Sequence, residues 1–137
     1  MEIAILYYTK LGHSKKIAQA IAQEFQVKAY DIRANPELNH VDMLYIVSGI
    51  YGGRSAPELI EYLRTLDHQQ IKQAWLITSS GGKITPAADV RLVLRERGIP
   101  VADEEFTCQG AILFFGIGHP NKVDIQNAIK FVKRTMQ

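Results

Sequence analysis

The sequence predicts a three-layer α/β sandwich, with a five-stranded parallel sheet of order 2-1-3-4-5 between two layers of helices. Three observations predict it. Strand-like and helix-like segments alternate along all 137 residues, the pattern that places helices on both faces of a parallel sheet. The runs "EIAILYY", "DMLYIVSG" and "QAWLITSS" are apolar nearly throughout, as strands covered on both faces are. Right-handed crossovers then leave few topologies, of which 2-1-3-4-5 leads. No repeat, low-complexity stretch or interior linker interrupts the pattern, so residues 1–137 read as one domain.

The elements follow in order. Residues 2–8 form the first strand, rich in β formers. Residues 14–25 form a helix with Ile17, Ile21 and Phe25 on one stripe. "VKAYDI" (27–32) alternates like an edge strand, and "NPELNH" (35–40) reads as one helical turn capped by Asn35. Residues 42–49 are a buried strand. Residues 56–66 are a helix opened by Pro57, with Leu59, Leu63 and Leu66 aligned. Residues 73–80 are another buried strand. Residues 86–98 are a helix that starts at Pro86 and ends at Gly98. Residues 105–117 are long for a strand, and Gly110 marks a bulge. Residues 121–136 close the chain as a helix, with Asn121 and Asp124 spaced as a capping box.

Composition narrows the function classes. The net charge is +2, so no strong field points to nucleic acid. Cys108 is the only cysteine, which excludes an internal disulfide and a cysteine metal cluster within one chain. A reducing, cytoplasmic setting is expected. "MEIAILYY" reads as a strand and not as a leader peptide. The apolar stretch from Ala111 to Gly118 is too short to span a bilayer, so no membrane insertion is expected. The four histidines, His13, His40, His68 and His119, have no metal-ligand spacing.

In such a sheet a ligand binds beyond the carboxyl ends of the strands, near the point where strand order reverses. The loops there are Thr9-Lys10-Leu11-Gly12-His13-Ser14, Gly49-Ile50-Tyr51-Gly52-Gly53-Arg54, Ser79-Ser80-Gly81-Gly82-Lys83 and Gly116-Ile117-Gly118-His119-Pro120. All four contain glycine. The first has two readings. In one it is a plain turn, with Ser14 as the helix cap and Gly12 at the bend. In the other it seats a phosphate: Thr9 and Ser14 donate hydroxyls, Gly12 admits the anion to the backbone, and the helix start adds free N–H groups. The neighbouring glycine-rich loop with an aromatic, Tyr51, favours the second reading. GxxxxGK[ST] and GxGxxG are both absent, and no aspartate ends the third strand as a phosphoacceptor would need.

"ILYYTKLGHSKKIAQAI" (5–21) resembles the flavodoxin signature almost position for position. Tyr7, Thr9, Gly12 and Ala18 match it, and Ser14 stands where threonine is usual. "SGIYGGRSAPELIEYL" and "TSSGG" are similar to the family's second and third flavin loops, and the closing segment resembles small bacterial members. The resemblance implies a flavodoxin-like fold and non-covalent FMN. Thr9, Lys10, Leu11, Gly12, His13 and Ser14 would wrap its phosphate. Gly49, Ile50, Tyr51, Gly52 and Gly53 would form the second wall, with Tyr51 stacked on the ring and Gly52 near N5. Ser79, Ser80, Gly81 and Gly82 would line the pyrimidine side. The implied function is electron transfer to a redox partner protein or a small-molecule acceptor. A quinone-type reductase and a flavodoxin-fold binding module without flavin are the alternatives. No side chain is assigned a catalytic role.

Two departures from the family pattern shape these expectations. The third loop has no aromatic to cover the ring's other face. The rim is basic, with Lys10, Arg54, Lys83 and His119, where acidic residues are usual. A cation about 8 Å from a reduced ring, at an effective dielectric of ~20, interacts by roughly 2 kcal/mol before screening. Cations favour the anionic reduced flavin, so the expected potential is less negative than in acidic members. Cys108 and Trp75 read as core residues, and His119 as a loop or cap residue.

Overall fold

The computed structural model describes residues 1–81, 84–109 and 120–137. Strand β1 (Ile3–Tyr7) leads through the first loop into α1 (His13–Phe25) and then the edge strand β2 (Lys28–Asp31). A 3-10 turn at Ile32–Ala34 precedes β3 (Met43–Tyr51), the two-residue β4 (Arg54–Ser55) and α2 (Pro57–Leu63). The chain continues through β5 (Ala74–Ser80), α3 (Ala88–Glu96), β6 (Val101–Gln109) and α4 (Lys122–Thr135).

The sheet order is β2-β1-β3-β5-β6, and all four pairings along it are parallel. Numbered among themselves, the parallel strands run 2-1-3-4-5, as expected. The addition is β4, which folds back antiparallel on β3 through Tyr51↔Arg54 and Ile50↔Ser55. Its two-residue turn is Gly52-Gly53, at φ +60° and +82°. Positive φ at both central positions matches the right-handed twist of the strands it joins.

Strand alternation divides the core between two layers. Leu6, Leu44, Ile46 and Leu76 point to the face covered by α2 and α3, where Leu59, Leu63, Val90 and Leu94 meet them. Ile5, Tyr45, Val47 and Ile77 point to the other face, against Ile17, Ile21, Ala128 and Phe131 of α1 and α4. Both faces of the central strands are thus buried, which accounts for their apolar runs. Truncating one of these leucines to alanine costs about 2–5 kcal/mol.

Several local expectations are met and others corrected. Asn121 and Asp124 form the capping box, with bonds of 2.9 Å and 2.8 Å. Gly98 follows the end of α3 at φ +74°. The helical turn expected from Asn35 does not form. Asn35 instead closes the preceding 3-10 turn at φ +48°, its N–H donating to the Ile32 carbonyl at 2.9 Å, since asparagine tolerates the left-handed region. Helix α3 begins at Ala88, two residues after Pro86. The irregularity of β6 falls before Glu105, where Ala74↔Val101 is followed by Leu76↔Glu105. The bulge expected at Gly110, and the strand beyond it, lie outside the described residues, as do Gly82, Lys83 and His119.

Candidate functional site

The first loop leaves β1 as a compact turn held by its own atoms. Thr9 is buried, and its Oγ1 accepts the Gly12 N–H at 2.7 Å. Gly12, at φ +89°, caps α1 in the left-handed region. The cap is therefore Gly12 and not Ser14, which corrects the plain-turn reading. Ser14 lies inside the first turn, buried, and no described residue bonds its hydroxyl. The first intrahelical bond runs from Lys16 N–H to Gly12 O at 3.0 Å. The N–H groups of His13, Ser14 and Lys15 precede it and have no helical acceptor. They lie at the positive end of the helix dipole. No carboxylate belongs to the loop. This donor set, with a buried hydroxyl beside it, fits an anion such as a phosphate monoester.

The loops after β3 and β5 come up beside the first. His13, Gly49, Ile50, Tyr51, Ser79, Ser80 and Gly81 line one cleft of about 10 Å³. It is small because Tyr51 fills it. The Tyr51 ring folds back over Gly49, where an added Cβ would lie 2.8 Å from the hydroxyl. That hydroxyl accepts the Lys10 N–H at 3.3 Å, and the Lys10 ammonium sits 4.8 Å from the ring centroid. Of the fifteen expected site residues, His13, Gly49, Ile50, Tyr51, Ser79, Ser80 and Gly81 share this cleft, Thr9, Gly12 and Ser14 form the turn before it, and Gly82 is outside the described residues. Leu11 points outward, 58% exposed, and Gly52 and Gly53 are exposed at the hairpin tip. A flat ring enters this cleft only when Tyr51 turns off Gly49.

The electrostatics of the cleft turn on two residues. Burial, with Lys16 adding to it, pushes the His13 imidazole below its ordinary 6.5. His13 is thus neutral at neutral pH and adds no fixed positive charge. Burial raises the Tyr51 phenol.

Residues outside the three loops hold them in place, and the loop sequences did not reveal these. Tyr8 Oη donates to Glu58 at the start of α2, and the Arg33 guanidinium stacks 5.1 Å over the Tyr8 ring. Arg33 Nη2 also donates to the Thr9 carbonyl. Asp89, at the start of α3, accepts both the N–H and the hydroxyl of Ser55 at 2.8 Å, which pins β4. Glu105 accepts the Thr78 hydroxyl at 2.7 Å and the Ala87 N–H at 2.8 Å, and pairs with Arg91 at 3.1 Å. The available signal was an acid in the first turn of α2 and of α3, which also reads as ordinary dipole compensation.

A roomier cavity, about 660 Å³, opens at the opposite pole beside Met43, Trp75 and Met136. Its charged rim is already paired, Lys72 with Asp42 and Arg134 with Glu104. Among the described residues, no group of three or more His, Cys, Asp or Glu is placed to hold a metal, and no helix is long and apolar enough to cross a membrane.

Comparison with known proteins agrees with the fold. The family model described as "Flavodoxin domain" matches residues 4–134. No curated protein matches the chain. Among solved structures, a flavodoxin from the domain Archaea aligns over 100% of both chains, with TM-score 0.69 and 15% identity. Oxidised flavodoxin 2 from Bacillus cereus aligns over 97% of this chain and 96% of its own, with TM-score 0.67 and 16% identity. An NAD(P)H:quinone oxidoreductase from Methanothermobacter marburgensis aligns over 100% and 99%, with TM-score 0.68 and 12% identity. At these identities the structural matches speak for the fold, and the family model, over nearly the whole length, for descent. The chain belongs to the flavodoxin domain family.

Proposed function

We propose that this protein binds FMN non-covalently and passes electrons through it to a redox partner protein or a small-molecule acceptor. The carrying observation is the first loop. Gly12 at φ +89°, buried Thr9 and Ser14, and three free amides at the start of α1 form an anion seat in a flavodoxin-family chain. Thr9 to Ser14 hold the phosphate. Residues Gly49 to Gly53 and Ser79 to Gly81 hold the ring, and Gly82, expected in the same wall, lies outside the described residues. FMN, when bound, supplies the electron chemistry. The chain's residues bind, orient and set the charge around it. Tyr51 turns outward from Gly49 to admit the ring and stack on it.

The test is direct. Apoprotein titrated with FMN quenches flavin fluorescence at a one-to-one ratio and gives a yellow protein. Protein that stays colourless and does not bind added FMN overturns the reading and leaves the alternative, a fold whose cleft Tyr51 fills permanently.

A second reading, a small FMN-dependent quinone-type reductase, draws on a specific observation. The described part of the third loop, Ser79 to Gly81, carries no aromatic to cover the ring's second face, and a quinone oxidoreductase shares the fold. Turnover of NAD(P)H with a soluble quinone separates reductase from carrier.

A further inference from the structure

We propose that the rim of the flavin cleft is a docking face for an acidic redox protein, which exchanges electrons with the bound flavin. This rests on the FMN reading and deepens it by naming the kind of partner.

The face is built from apolar side chains left exposed around the cleft. Strands β1, β3 and β5 end at this pole, and α1 and α4 start there. Among the described residues, the exposed large apolar side chains are Met1, Leu11, Ile84, Leu92 and Val123. Leu11 is in the first loop. Ile84 is in the chain leaving β5, next to Thr85, whose N–H donates back to Ser80 Oγ at 3.1 Å. Val123 is in the first turn of α4. That turn lies beside the end of β6, because burial and then Asp124 raise the thiol of Cys108, the register neighbour of Ser79.

Cations surround these side chains. Lys10, Lys15, Lys16, Arg54 and Lys122 are all exposed. Lys10 adjoins Leu11 and sits against the Tyr51 ring. Lys15 and Lys16 follow in the first turn of α1, and Lys122 adjoins Val123. Arg54 follows the Gly52-Gly53 turn on the other flank of the cleft. Carboxylates at the same pole turn onto donors of the fold. Asp31 accepts the Arg33 N–H at 2.9 Å, and Asp124 accepts the Asn121 N–H at 2.8 Å. Asp89 holds both Ser55 groups, and Glu58 accepts from Tyr8 with Lys10 and Arg33 close by. Positive charge is what the described rim offers to an approaching molecule.

Exposed apolar side chains with charge at their edge suit a protein interface. The apolar contacts exclude water, and the charges steer the approach. Positive charge selects a partner that carries acidic residues around its own redox centre. The three apolar side chains come from separate segments, not from one amphipathic helix able to enter a lipid surface. The net charge of +2 gives no strong field for a nucleic-acid backbone. Seated on this rim, the partner brings its centre to the cleft of Tyr51, Ser79 and Ser80. No bond forms or breaks. Each encounter moves one electron, so that one centre is oxidised by one as the other is reduced by one.

The probe is an acidic two-iron ferredoxin, a strong one-electron reductant when reduced. Oxidised ferredoxin is titrated into isotope-labelled protein, both FMN-loaded and as apoprotein, and amide shifts are followed by NMR. The shifts are expected to gather at Leu11, Lys16, Arg54 and Val123 and to fade with added salt. In stopped flow, reduced ferredoxin bleaches the bound flavin, and the rate constant falls as ionic strength rises. On folded, FMN-loaded protein, Lys16→Glu with Arg54→Glu slows it about tenfold at low salt. Lys28→Glu with Arg95→Glu, an equal reversal at the opposite pole, changes it by less than about twofold. A rate constant that ignores salt or rises with it overturns the proposal. So does equal slowing by the two reversals, which would report net charge and not a face. Shifts at Leu11 and Lys16 with phosphatidylserine vesicles, and none with ferredoxin, assign the rim to a membrane and also overturn it. Failure of the FMN reading appears separately, as a colourless protein, and docking is then still read on the apoprotein.

Discussion

Gly12 and Tyr51 show how much of the site depends on single residues. Gly12 holds φ +89°, and an added Cβ there meets nothing within 4 Å. Alanine therefore has room but the wrong backbone, and the left-handed conformation costs it about 1–2 kcal/mol. Gly12→Ala is expected to lower the unfolding free energy by that amount, seen as a lower urea midpoint at unchanged slope, and to weaken FMN binding. An unchanged midpoint would show that the turn relaxes freely. Tyr51 is held over Gly49 by a hydrogen bond from Lys10 N–H and by the Lys10 ammonium over its ring. Tyr51→Phe removes that bond and keeps the aromatic face. A partly exposed bond of this kind contributes about 0.5–1 kcal/mol, so FMN affinity should rise about twofold to fivefold in fluorescence titrations. Weaker binding by the phenylalanine variant would mean that the hydroxyl contacts the flavin and does not compete with it.

At the scale of elements, helix starts tie the loop ends to the body of the fold, Glu58 of α2 through Tyr8 and Asp89 of α3 through Ser55. Asp89 takes the N–H and the hydroxyl of Ser55, and so fixes β4 and the Gly52-Gly53 turn ahead of it. Asp89→Ala strands both donors, at a cost of about 1–3 kcal/mol. Faster hydrogen exchange at the Ser55 amide and weaker FMN binding should appear together. Normal affinity in spite of fast exchange would show that the hairpin does not shape the site. Such ties explain what was legible in the sequence. Periodicity revealed the strands and helices because both faces of β3 and β5 are buried. Glycine and hydroxyl placement revealed the loops because those residue types are needed where a backbone turns or meets an anion. β4 was not legible, since two residues, Arg54 and Ser55, carry no period. Asp89, Glu58 and Glu105 were not legible as loop anchors, because each bonds a residue at least 18 positions away in sequence. Asn35 misled because a residue that caps a helix also closes one.

At the scale of the whole molecule, the titrating groups set a window of stability. On the acid side, Asp42 is held low by the Glu2 N–H and Lys72, Glu58 by the Tyr8 hydroxyl, and Glu104 by Arg134. Each stabilises the fold above its unfolded pKa and loses that contribution as pH falls through its folded one. His13 acts in the same direction at higher pH. Its folded pKa lies below 6.5, so the unfolded chain binds the proton first and stability declines as pH falls through 6.5. On the alkaline side, burial raises the Tyr62 phenol and the Cys108 thiol, each to about 12. Their protonated forms stabilise the fold fully below the ordinary values of 10.0 and 9.0 and progressively less above them. Urea midpoints should therefore be flat from about pH 7 to about pH 8.5 and fall on both sides. Two variants separate the limbs. His13→Gln should flatten the decline between about pH 7 and pH 5.5 and leave the alkaline limb unchanged. Cys108→Ala should delay the alkaline fall toward the tyrosine range, because the earliest group to ionise in the unfolded chain is then gone. An alkaline limb that starts at the same pH in Cys108→Ala would show that the buried thiol is not its first cause.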